Sequence, residues 1–197
     1  MFKKYLSILL FFVAISTFAQ HKGDTYKVLL HKPVTELTFE QVKTTMLHRL
    51  NEMRAEENRR HPALRLKPLK YSQALERAAF FFMDHKTKWF DENGKLDKYC
   101  HFDDDNNGVT DRYTLLNIKY GKIDSVEHFK DGVTLTHSRV CAGENVVGTN
   151  GSIYEQCETL RNSPGHWRQI IDRYHTHIGI AYRKEVPILI CDFAKLK

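Results

Sequence analysis

Apolar and polar positions alternate with periods that change along the chain. Between Leu37 and Asn58, the residues Phe39, Val42, Met46, Leu50 and Met53 recur at three- and four-residue steps, the spacing of one face of an amphipathic helix. Thr38 with Gln41 three positions later supplies a capping-box start. Pro62 and Pro68 bound a short extended connector. Ser72 to about Phe90 predicts a second helix with Leu75, Ala78, Ala79, Phe82 and Met83 turned inward. The run Phe80-Phe81-Phe82 makes that helix apolar around much of its circumference, so it packs on more than one side. Asp91 to Gly132 is polar and weakly patterned, a stretch long enough to read as a functional loop or an insertion. Beyond it, Val133 to Thr136 and Glu144 to Val147 are strand-like. Ser152 to Asn162 is a helix opened by a Ser152/Glu155 capping box, and Ser163-Pro164 opens a further short helix. Ile178 to Arg183 and Val186 to Phe193, parted by a polar turn, predict a closing hairpin. Helices, strands, more helices and a hairpin in this order imply an α+β layered domain.

The N-terminus follows a different rule. Lys3 and Lys4 precede an almost unbroken apolar run from Tyr5 to Phe18, which closes on Thr17-Phe18-Ala19. A basic start, a short apolar run and a small-x-small end describe a secretory signal peptide over 1–19. The run falls short of the roughly 20 apolar residues that span a bilayer, and no later stretch is apolar enough to do so. Residues 20–36 then read as an N-terminal extension and 37–197 as a single domain carrying a polar insertion at about 91–132. Export to an oxidising compartment gives the four cysteines, Cys100, Cys141, Cys157 and Cys191, the reading of two disulfides with three connectivities open. None has the CxxC spacing of a zinc ribbon. The net charge of +6, two less without Lys3 and Lys4, is scattered among acids and forms no basic stripe with interleaved aromatics, which argues against nucleic acid as a partner.

Five segments in order resemble the CAP superfamily (cysteine-rich secretory proteins, antigen 5 and pathogenesis-related 1 proteins). They are Leu50-Asn51-Glu52-Met53-Arg54 with Leu64, Leu66, Pro68 and Leu69 after it; Ala74 to Ala79; Thr136-His137-Ser138 leading to Gly143-Glu144-Asn145; Ser163-Pro164-Gly165-His166-Trp167-Arg168-Gln169-Ile170-Ile171; and the strands His177 to Ala181 and Leu189 to Phe193. The resemblance implies a three-layer α-β-α sandwich with a central antiparallel sheet and an open cleft holding two His and usually two Glu. Carried over residue by residue, it assigns His137, His166 and Glu144 to that cleft. His101, which follows the second helix, competes with His137 for the first position. The second family Glu falls where this chain has Ser163.

Two imidazoles and a carboxylate are the ligand set of an open zinc or other divalent site. Glu144 is equally suited to orient an imidazole or to serve as a general base. Separately, Asp103, Asp105, Asn107 and Asp111 stand at positions 1, 3, 5 and 9 of an EF-hand-like run with Gly108 at position 6, which suggests calcium; Thr114 replaces the bidentate Glu at position 12. An Asx-turn cluster is the alternative. The sequence has no HExxH and no Gly-x-Ser-x-Gly elbow. The expected protein is therefore secreted or periplasmic and binds a small molecule, lipid, glycan or protein in the cleft; a hydrolase using a metal-bound water and Glu144 is the alternative.

Overall fold

The computed structural model describes residues 25–97, 100–128 and 134–197, and side chains of 124–139 lie outside that description. The leader expected at 1–19 also falls outside the described residues. Residues 25–31 are helical, and the first long helix, α1, runs over Phe39–Arg60. Its start is the predicted capping box: Thr38 Oγ1 accepts from the Gln41 N–H at 3.3 Å, while Gln41 Oε1 accepts from the Thr38 N–H at 2.9 Å. Val42, Met46, Leu50 and Met53 are its buried face. On the same helix Asn51 and Arg54 act as clamps. Asn51 exchanges two hydrogen bonds with the Leu69 backbone, and Arg54 donates to the carbonyls of Lys67 at 2.8 Å, Ile170 at 2.5 Å and Asp172 at 3.1 Å. Burial lowers the Arg54 guanidinium to about 10, which leaves it charged at neutral pH.

Helix α2, Gln73–Asp84, is shorter than the sequence pattern suggests. The loop around Asp104 stops it: Lys86 Nζ donates to Phe102 O at 2.8 Å and the Thr87 N–H donates to Asp104 Oδ2 at 3.1 Å, which holds 86–87 out of helical geometry. Within the stretch read as a polar insertion lie a short helix α3, Val109–Leu115, and a strand β2, Lys122–His128. Seven residues are too few for a 3.6-residue period to show. Strand β3, Thr134–Val140, pairs with β2 in a two-stranded antiparallel ribbon. The main sheet has the order β1–β5–β6–β4, with β1 at Lys70–Tyr71, β4 at Ala142–Gly148, β5 at His177–Arg183 and β6 at Val186–Ala194. β4, β6 and β5 form the expected antiparallel centre, and the two-residue β1 joins β5 in parallel at the edge, so the sheet as a whole is mixed.

The period-2 alternation of these strands divides the core. Ile178, Ile180, Leu189, Cys191 and Phe193 face α1 together with helices α4, Ile153–Asn162, and α5, Pro164–Ile170. Val146, Ala181, Ile188 and Ile190 face the other way, onto Ala79, Phe82, Met83 and Trp89. At Gly179 the start of α2 lies so close that a Cβ would strike the backbone at Leu75 and Glu76. The result is the expected α+β layering. The disulfide expectation is corrected: no disulfide joins Cys100, Cys141, Cys157 and Cys191, all of which are buried. Cys157 and Cys191 belong to the apolar core instead, with Cys157 Sγ 3.4 Å from Met46 Sδ. Burial pushes the Cys157 thiol up to about 12.

Candidate functional site

Where β4 begins, the alternation sends Glu144 toward the α2 face and Gly143 and Asn145 toward the α5 face. A cleft of about 540 Å³ opens at this edge, lined by His101, Phe102, Thr110, Glu144, His166 and Gln169 among others. Its two walls come from opposite layers. The loop before α3 brings His101, and Pro164 starts the short helix that brings His166. The backbone of that helix is held by Asn145, whose Nδ2 donates to His166 O at 3.1 Å. Gly143 leaves room here for the Gln169 carboxamide, which a Cβ would push aside, and for the His175 ring.

Glu144 is the centre of the arrangement, with only 7% of its surface exposed. Its Oε1 accepts from His101 Nδ1 at 2.9 Å, and its Oε2 accepts from the Arg112 guanidinium. Arg112 is completely buried. It donates to the carbonyls of Asn107 at 2.9 Å and His101 at 3.3 Å, and its guanidinium lies 3.8 Å over the Phe82 ring. One guanidinium thus fixes both the loop carrying His101 and the carboxylate facing it. Asp192 sits beside Glu144 in the β4–β6 register, fully buried, with no donor to either carboxyl oxygen among the described residues. Burial first, and then the Glu144 charge, raise its carboxyl well above the usual range. The protonated form of Asp192 is thereby favoured beside the charged Glu144.

The two imidazoles lie 6.1 Å apart between ring centroids, and their surroundings shift them in opposite directions. A hydrogen bond to the Cys100 sulfur, and then the bond to Glu144, hold His101 up at about 10. His166 is lowered by burial and by the neighbouring His101, and its Nδ1 is buried without a partner among the described residues. The cleft therefore presents a cationic imidazolium beside a neutral imidazole.

Of the residues expected here, Glu144 and His166 come together, and the imidazole beside them is His101. His137 lies on β3 opposite Ser125, and its side chain falls outside the described residues. Ser163 lines the cleft where the second Glu was missing. Glu155 caps α4, and Glu158 pairs with Arg49 at 3.1 Å. The Asp103 run is folded around itself: Asp103 accepts from the Asn107 N–H at 2.7 Å, the Asp105 N–H at 3.1 Å and Asn107 Nδ2 at 3.1 Å, while Asp111 accepts from the Gly108 N–H at 3.0 Å at the start of α3. These are Asx-turn and capping bonds. Among the described residues no three His, Cys, Asp or Glu side chains are grouped as a metal site requires.

Sequence reasoning missed Arg112 and Asp192. Asp192 had a signal, since Ile188, Ile190 and Asp192 share one face of an otherwise apolar strand. Arg112 had none, because the helix that carries it is invisible to periodicity.

Neither a family model nor a curated protein sequence matches the chain. Solved structures do. An outer surface protein of Borrelia burgdorferi superposes with a TM-score of 0.56 at 15% identity, covering 82% of this chain and 97% of that one. An extracellular protein containing a SCP domain from Bacillus anthracis gives 0.51 at 15% identity over 81% of this chain. A cysteine-rich secretory protein from Staphylococcus aureus gives 0.51 at 13% identity over 77%. The chain spans 44% and 37% of the length of the latter two. At these identities the likeness shows the fold alone, one shared with SCP-domain and cysteine-rich secretory proteins.

Proposed function

We propose that this CAP-like domain works outside the cytoplasm as a binding module, and that its cleft captures a polar ligand offering an oxygen acceptor to His101 and a donor to His166. The extracytoplasmic setting is supported by the leader pattern over 1–19 and by the surface and extracellular descriptions of the similar structures. No helix among the described residues is long and apolar enough to cross a membrane. The observation that carries the binding reading is the pair of imidazoles 6.1 Å apart, both lining one open cleft. A concave site with a few convergent polar groups is the ordinary form of a ligand pocket. A hydrolase with Glu144 as base has less support, since both oxygens of Glu144 already accept hydrogen bonds from charged groups.

The test is an NMR titration of the mature protein with acetate, N-acetylglucosamine and laurate as probes of acid, glycan and lipid chemistry. Saturable shifts in both the His101 and His166 ring resonances, lost in a folded His166→Ala variant, are expected for at least one probe. Silence of both rings toward all three would remove the cleft reading.

A further inference from the structure

The resemblance raises the question of a divalent cation in the cleft, and the donor set answers it. Glu144 has one oxygen on His101 and the other on a guanidinium that no solvent reaches. A cation bound to that carboxylate would have to displace Arg112, and Arg112 has nowhere to go. It is packed on Phe82 and fixed to two backbone carbonyls. Breaking a buried ion pair by withdrawing one partner leaves an uncompensated charge, a severe penalty. The two imidazoles that remain are too few for a closed zinc shell.

We propose that the Arg112 guanidinium is the cleft's built-in cation: it holds the far oxygen of Glu144, turns the near oxygen to His101, and takes the place a divalent metal would have. Arg112 is thus a positioning residue, acting on the ligand-facing His101 through Glu144. Its role does not depend on which ligand the cleft takes, and a metal titration reads it even if no probe ever binds.

Zinc is titrated by calorimetry into the chelator-treated mature protein at pH 7.5, with the His101 and His166 ring resonances followed in parallel. No stoichiometric uptake dependent on the two imidazoles is expected, and the ring resonances should not change on adding zinc or chelator. In Arg112→Gln, the Glu144 charge loses its partner and zinc affinity should rise at least tenfold. Arg112→Lys, which restores a cation, should return to the wild-type result. Uptake of one zinc by the wild type with a micromolar or tighter Kd, abolished in both His101→Ala and His166→Ala, would overturn the proposal. So would an Arg112→Gln variant that is folded and binds zinc no better than the wild type. If Arg112→Gln does not fold, the wild-type titration decides alone.

Discussion

His101 and His166 meet the same solvent in the same cleft, and what separates them is what stands behind each ring. A carboxylate and a sulfur favour the charged form of one, while burial beside that charge favours the neutral form of the other. Two-dimensional NMR titration should find His101 still protonated well above neutrality, near 10, and His166 neutral at pH 7. Replacing Glu144 by Gln should move His101 down, and an unchanged His101 titration would break the assignment. The sign for stability follows: a His raised in the folded state contributes fully below its ordinary range, and the contribution fades as pH climbs toward 10. Asp192 works in the opposite sense. Its carboxyl holds its proton more tightly when folded than when unfolded, so it weakens the fold increasingly as pH rises above the ordinary carboxylate range. Asp192→Asn preserves the shape without the ionisable group. Its melting temperature should exceed that of the wild type at pH 7 to 8, and the gap should close near pH 4. A pH-independent difference would show that Asp192 is ionised in the fold.

At the scale of elements, the helices with long apolar periods and side-chain caps were legible, and those without were not. Thr38 with Gln41 and Ser152 with Glu155 marked the starts of α1 and α4 to the residue, because a capping box is a local event requiring only neighbours. The end of α2 was misplaced because contacts from residues 102 and 104, distant in sequence, decide it. The cleft was half legible for the same reason. Glu144 and His166 sit in recognisable segments, whereas the choice of first imidazole depends on how the chain returns after α2. Element packing also sets a sharp test. Gly179 lets α2 touch the sheet through backbone alone, and Gly179→Ala should cost about 3 kcal/mol or more, the upper range for overpacking a tight contact. Chemical denaturation giving a loss under about 0.5 kcal/mol would mean that the helix can slide freely on the strand.

Across the whole molecule, stability rests on layered apolar packing instead of covalent staples. A domain of this size buries enough surface to fold without disulfides, so the cysteine count misled because an even number in an exported chain is only a statistical sign of pairing. Alkylation in denaturant without reductant, followed by peptide mapping, should find Cys157 and Cys191 modified, while the native protein protects both. Either residue recovered in a disulfide-linked peptide would reverse that conclusion. The two buried arginines have a further consequence at this scale. Arg54 fastens the carbonyls at the end of α5 behind the His166 wall, and Arg112 fastens the carbonyls of His101 and Asn107 behind the other. Both sides of the cleft are therefore preorganised before any ligand arrives, and binding forfeits little conformational entropy. Such a site discriminates by fit, with free and bound forms nearly superposable, and its ligands are ranked by how long they stay, not by how far they bend the protein.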